Sequence, residues 1–226
     1  MDFNNKVHAI IKIFGIDVWI TDTIISTWII ILFLSIFALI VNLSIKKFNM
    51  IPKGLQNFVE LIIESIDNMT KTNMGEKYLC FSPWFFSVFA FLLCSNLSGL
   101  FCLRPPTADL STTFMFALTT FFLIHFMGIK TEFKSYFKSY VEPYFILLPL
   151  NIISEIATPI SLSFRLFGNI LGGYIIMSMV YNLFPAILKI GLPGVLHIYF
   201  DVFSGALQAF IFVILSMTFI KDKIND

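Results

Sequence analysis

The sequence predicts an all-α polytopic membrane protein with about five transmembrane helices and one amphipathic helix at the membrane surface. Three observations carry this. Of the 226 residues, 58% are hydrophobic and only 13% charged, with mean hydropathy +0.87, whereas soluble domains carry about 25% charged residues. The charges are bunched, so Ile24–Ile45, Tyr78–Leu103 and Leu110–Ile129 contain no Asp, Glu, Lys or Arg. Each run reaches or exceeds the ~20 residues that cross the hydrocarbon layer as a helix, and none shows the period-3.6 polar face of a soluble helix.

Taken in order, residues 1–23 read as a short exterior segment, with Asp22 just ahead of the first span. The opening MDFNNKVHAIIKIF has neither Arg-rich transit character nor a cleavage pattern, so span one (24–45) is expected to act as an uncleaved signal anchor. It stops at Lys46-Lys47. From 52 to 77, Leu55, Phe58, Val59, Ile62, Ile63 and Ile66 recur at spacings of three and four, with Glu60, Glu64, Asp67 and Lys71 on other faces. This pattern fits an amphipathic helix in the cytoplasmic headgroup region, and also a helix packed on a partner.

Span two (82–103) ends at a sharp turn, Arg104-Pro105-Pro106, and span three covers 109–129. The loop from Lys130 to Glu142 repeats FKSY, too short a unit to be an architectural repeat. Two long apolar segments remain, 148–184 and 194–220, with Pro185, Gly191, Pro193 and Gly194 as the turn signals between them. The first is longer than a perpendicular span requires and is expected to be strongly tilted. Residues 221–226 form a tail, and the whole chain reads as one membrane domain.

With the N-terminus outside, Lys46, Lys47, Lys53, Lys71, Lys77, Lys130, Lys134, Lys138, Lys221 and Lys223 fall in the cytoplasm. Only Lys6, Lys12, Arg104 and Lys189 then lie outside. The positive-inside rule favours that orientation, with an odd number of spans. Cys80, Cys94 and Cys102 have no metal-type spacing and leave no closed disulfide framework.

Arg165 stands out inside the apolar stretch SLSFRLFGNILGG. A guanidinium at bilayer depth costs at least ~2.5–3.5 kcal/mol on insertion scales, and arginine keeps its charge at any attainable pH. Ser161, Arg165, Asn169, Gly172 and Gly173 lie at offsets of −4, 0, +4, +7 and +8 and share a helix face, whose small residues let another helix approach closely. The competing reading is an arginine that snorkels or bonds a carbonyl within the bundle.

On the last helix Asp201, Ser204, Gly205 and Gln208 form a second polar stripe at offsets 0, +3, +4 and +7, with His197 one turn before Asp201. An imidazole and a carboxylate can meet there, as relay or as structural glue. Asp109 fits either the N-cap of span three or a polar lining residue. His125 reads as a satisfied interior residue. Glu155, ten residues before Arg165, need not pair with it and fits the lining of a wet entrance.

Together these residues resemble subunit a of the F-type ATP synthases, over nearly the whole chain from about Pro52. PISLSFRLFGNILGG (Pro159–Gly173) resembles the family's arginine-bearing segment, the specific part of the match. ALQAFIFVILSMTFI (Ala206–Ile220), PTADLS (Pro106–Ser111) and GLQNFVE (Gly54–Glu60) add weaker support. The resemblance implies that Arg165 is the stator arginine, with Asn169 and Gln208 its polar neighbours. It also implies that Asp201 holds an ionisable position, and that the chain forms two ion half-channels coupling H⁺ or Na⁺ flow to rotation of a c-ring.

Nine residues after the arginine the family often has Glu or His, where this chain has Tyr174. A phenol is a poor relay at neutral pH, which leaves that role to Asp201, with His197. The outer half-channel is expected at Asp201, His197 and Asp109, the cytoplasmic one at Glu155, and ring packing at Ser161, Gly172, Gly173 and Gly205. Expected partners are the c-ring, the b subunits of the peripheral stalk, the rest of the synthase and the lipid bilayer, with no nucleic acid.

No P-loop or metal-ligand cluster is present, so no cofactor or metal is expected and ATP chemistry falls to other subunits. Two Arg among fifteen basic residues, with 28 Phe, point to an AT-rich genome and a bacterial plasma membrane. A stand-alone secondary transporter or ion channel is the rival class, but the internal repeats common in transporters are not visible. A structural scaffold would leave the two polar stripes unexplained.

Overall fold

Length and hydropathy decide most of the architecture. The computed structural model describes residues 7–13, 16–45, 54–101, 103–131, 133, 136, 138, 140, 144–183 and 188–225. Within them five helical stretches are long and apolar enough to cross a bilayer: Asp22–Ser44, Glu76–Phe101, Leu110–Thr131, Phe145–Leu183 and Pro193–Ile224. The helices in order are α1 (Asp22–Ile45), α2 (Leu55–Met74), α3 (Ser82–Leu97) and α4 (Leu110–Thr131). They are followed by α5 (Leu148–Leu183), α6 (Leu188–His197) and α7 (Gly205–Asn225). The π-helical segment Ile198–Ser204 joins α6 to α7, so helical backbone runs unbroken from 188 to 225. The membrane part is thus all-α, as the composition requires.

The structure differs from the sequence reading in two places. Ahead of α1, β1 (Val7–Ile13) and β2 (Ile16–Thr21) form an antiparallel hairpin pairing Ile10 with Trp19 and Lys12 with Asp17. Both strands are rich in β-branched residues, which suit a pleated backbone. The second difference lies after α5. Gly191, Pro193 and Gly194, read as part of a turn, are helical, because helices at membrane depth tolerate Gly and Pro when neighbours re-satisfy the backbone. Pro185 lies outside the described residues.

The interior is organised around α7, which packs against α2, α3, α4 and α5. Its inward residues Ala209, Phe212, Val213, Ser216, Met217 and Ile220 are fully or almost fully buried. Between helices that sit in lipid, close packing replaces hydrophobic drive, so small side chains belong at the contacts. Thr113, Ala117 and Thr120 of α4, and Ser163 of α5, are wholly buried in this way. The Thr113 and Ser163 hydroxyls meet at 3.2 Å.

Helix α2 divides its residues between two sides. Val59, Ile66, Thr70 and Met74 are buried on the side that packs against α3 and α7. Phe58, Leu61 and Ile63 stay exposed. So α2 packs on this chain's own helices while presenting an apolar strip outward. It stops at Gly75, whose φ of 95° favours glycine.

Gly205 and Gly173 allow close approach inside the chain. A Cβ on Gly205 would lie 2.9 Å from Asn96 Cβ, and one on Gly173 would lie 3.2 Å from Phe200 Cβ. Gly172, by contrast, has nothing within 4 Å of its Cβ position. Gly205→Ala should therefore destabilise the chain by ~1–3 kcal/mol through overpacking, and Gly172→Ala should not. Thermal unfolding of the detergent-solubilised subunit checks the ranking, and equal behaviour of the two variants would contradict it.

Candidate functional site

Arg165 sits at the middle of α5, 17 residues from Leu148 and 18 from Leu183. One face of α5 (Leu162, Leu166, Ile170, Gly173, Met177) is buried in the bundle. The outward face carries Ser161, Arg165, Gly168, Gly172, Ile176 and Met179 at spacings of three and four. Gly168 and Gly172 have open space where a Cβ would stand. Among the described residues no carboxylate comes within ion-pairing distance of Arg165. The guanidinium therefore stands exposed in a smooth, small-residue stripe on the bundle's outer side.

Asn169, one turn on, reaches across to α7, its Nδ2 donating to Gln208 Oε1 at 2.7 Å. Gln208 is buried, and its Nε2 has no hydrogen-bond partner among the described residues. A buried donor left unmade is costly.

Toward the C-terminal end of α5 lies a second polar group. His197 Nδ1 donates to Asp201 Oδ2 at 2.5 Å, and the Tyr181 hydroxyl lies 3.3 Å from His197 Nε2. Carboxylate, imidazole and phenol thus form one chain. The π-helical turn carries Asp201, and such turns are frequent at functional sites. The Gly205 N–H bonds to the Phe200 carbonyl five residues back.

Asn96 fastens this turn to α3. Its Nδ2 donates to the Gly205 carbonyl at 2.8 Å, and Thr107 donates to its Oδ1 at 2.8 Å. Gly99 makes room for the acid, since a Cβ there would lie 3.4 Å from the Asp201 carboxyl. Asp109, at the same end, pairs with Arg104 at 3.4 Å, and its carbonyl accepts from Thr113 N at 3.3 Å. Tyr174 is half-buried.

Toward the N-terminal end of α5, Glu155 ion-pairs with Lys223 of α7, and His125 Nε2 lies 4.0 Å from its other oxygen. A cavity of ≈ 270 Å³ next to Arg165 is lined by Ser154, Thr158, Ser161 and Phe219. A second, of ≈ 230 Å³, is lined by Ser154, Glu155, Thr158, Phe219, Asp222 and Lys223. The shared Ser154, Thr158 and Phe219 make the two cavities adjoin, a groove of mixed hydroxyl and apolar lining leading from Arg165 to Glu155. Pro159 lacks an N–H, which leaves the Glu155 carbonyl without its α-helical donor beside that groove.

The arrangement gathers Ser161, Arg165, Asn169 and Gly172 on the outward stripe, and His197 and Asp201 at one end. Glu155 lies at the other. Gly173 and Gly205, expected to face a ring, are instead occupied inside the chain, by Phe200 and Asn96. The reason is that α5 is packed on one side, so its glycine pair splits between an inner and an outer face. Sequence reasoning did not find Tyr181, Asn96, Gly99 or Lys223, which join their sites through tertiary contact and carry no local spacing signal.

Comparison with known proteins gives this geometry its family. The family model described as ATP synthase A chain matches residues 24–221. The "ATP synthase subunit a, chloroplastic" of Stigeoclonium helveticum is 36% identical over 217 residues, 91% of this chain and 85% of the relative. The "ATP synthase subunit a, sodium ion specific" of Propionigenium modestum is 33% identical over 242 residues, covering 100% of this chain and 81% of the relative. That of Moorella thermoacetica is 35% identical over 212 residues, 91% of this chain and 92% of the relative. The chain belongs to the ATP synthase A chain family, a non-catalytic, ion-translocating membrane component of ATP synthase.

Proposed function

We propose that this chain forms two ion half-channels and the stator arginine that together couple transmembrane H⁺ or Na⁺ flow to rotation of a c-ring, and hence to ATP synthesis or hydrolysis. The observation that carries the reading is the outward Arg165, mid-helix, in a stripe open enough for a neighbouring helix and without an acidic partner among the described residues. Its natural partner is a ring carboxyl passing at the same depth.

Facing lipid, such a carboxyl is desolvated, which raises its pKa by up to ~3–5 and keeps it neutral. Facing Arg165 at ~4 Å with an effective dielectric of ~20, the ionised form gains about 4 kcal/mol, roughly three decades in the ionisation constant. The two effects are similar in size and opposite in sign. The ring site loses its ion at Arg165 and reloads just beyond it.

Direction requires two offset wet passages. The Asp201–His197–Tyr181 chain supports an outer passage there, with Asp109 at its rim. The groove from Glu155 to Arg165 supports a cytoplasmic one. Between them the fixed charge repels a cation travelling straight through, which ties flow to rotation. Ser161 and Gly172 form the ring-facing surface beside Arg165. α2 lies at the cytoplasmic membrane surface, the N-terminus is outside, and the membrane is a bacterial plasma membrane. The b subunits of the peripheral stalk hold the chain against the turning ring. One relative is named as sodium ion specific, and either cation suits this mechanism, because the ring site makes the choice.

Arg165→Ala in the complete complex should abolish both ATP-driven pumping and ion-driven synthesis in reconstituted vesicles; coupled pumping at the normal rate would end the assignment. Arg165→Lys should also fail, because a buried lysine can lose its proton and with it the barrier. Asp201→Asn should slow transport on the order of 10²-fold, as loss of a proton-transfer group does, while Tyr174→Phe retains most of it. The opposite ranking in the same vesicle assay would move the relay to Tyr174.

A further inference from the structure

The Glu155 end of the groove holds a group that the proposed mechanism does not use. Lys223, in the last turn of α7, is ion-paired with Glu155. Its ammonium stands 4.8 Å from the centre of the Tyr140 ring and 5.9 Å from that of Tyr136. A carboxylate flanked by two aromatic faces is a cation site, and here the chain fills it with its own cation. The surroundings are built for this. The Tyr136 and Tyr140 hydroxyls bond at 2.8 Å, and Asn151 Nδ2 holds the Tyr140 carbonyl at 2.9 Å.

Burial, the bond to Tyr136 and the Glu155 charge raise the Tyr140 pKa above the usual tyrosine range. The phenol stays protonated beside the Glu155 charge. His125 and Asp222 are the other titratable groups facing the site. The lysine stem is long and flexible, so the ammonium can leave without moving α7.

We propose that Lys223 is a tethered competitor at the mouth of the cytoplasmic passage, occupying the Glu155 site in place of the coupling ion and displacing each ion that arrives there. This rests on the reading of the Glu155–Arg165 groove as that passage. An ion entering from the cytoplasm must displace the lysine, which raises the concentration needed for half-maximal pumping. An ion leaving is helped out by the returning ammonium, which speeds release during synthesis. The alternative is a purely structural lysine that completes a helix C-terminus; it predicts no change in ion dependence.

The test uses the complete complex in vesicles with the ATPase side outward. ATP-driven uptake is titrated with pH at fixed Na⁺ and with Na⁺ at fixed pH. Lys223→Gln should lower the half-saturating concentration of one of the two ions by about tenfold, as expected when a competitor holding the site about nine-tenths of the time is removed. The same variant should slow ion-driven synthesis, and Lys223→Arg should restore both properties.

Tyr140→Leu, which removes a ring from beneath the ammonium, should shift half-saturation in the same direction and serves if Lys223→Gln does not assemble. Unchanged or raised half-saturation for both ions overturns the proposal. Glu155→Gln separates the two levels of inference. If it slows pumping while the lysine variant shifts nothing, only the competitor falls. If it pumps like the parent, the passage falls with it.

Discussion

A guanidinium that cannot discharge, held at the middle of a 36-residue helix, constrains everything else in this molecule. Its own chain offers no carboxylate within reach among the described residues, so the charge must be met by water, by lipid headgroups or by another protein. Neither end of α5 is near: seventeen residues at 1.5 Å each put Arg165 about 25 Å from either terminus of the helix. An outward stripe of Ser161, Gly168 and Gly172 lets a neighbouring helix come close enough to be that partner. An arginine kept for packing would be better served by the buried face.

The rest of the fold supplies the stiffness this placement needs. α7 is buried among four other helices and reaches Arg165's neighbourhood through the Asn169–Gln208 bond. Each end of the bundle carries a polar group of its own. At one, Asn96 and Thr107 tie the π-helical turn to α3 and set where Asp201 stands. At the other, Glu155 is gathered with Lys223, Tyr140 and His125. Arg165 lies between these groups, with the groove joining it to the Glu155 side.

Much of this was legible in the sequence because helices in lipid announce themselves by length and charge gaps. The Arg165 face follows from its spacing, since α5 is regular around it. The same spacing failed for the glycines. Gly172 and Gly173 are adjacent, and only the packing against Phe200 decides that one faces inward. The stripe Asp201–Ser204–Gly205–Gln208 assumes α-helical pitch, whereas the π segment widens the turn and rotates Asp201 relative to Gln208. No local pattern signals that. The helical Gly191–Gly194 stretch was hidden by priors on turn residues that membrane helices override. Lys223 and Tyr140 are 83 residues apart in the chain, so only the fold brings them together at Glu155.

The central claim is that Arg165 finds its countercharge outside its own chain. The most direct measurement is a high-resolution electron density map of the assembled complex, reading which carboxyl lies nearest the Arg165 guanidinium. The account predicts an acidic side chain of the rotating ring, with water and Ser161 completing the surroundings. A guanidinium capped by Glu155 or Asp201 of the same chain, with the ring helix out of reach, would contradict it.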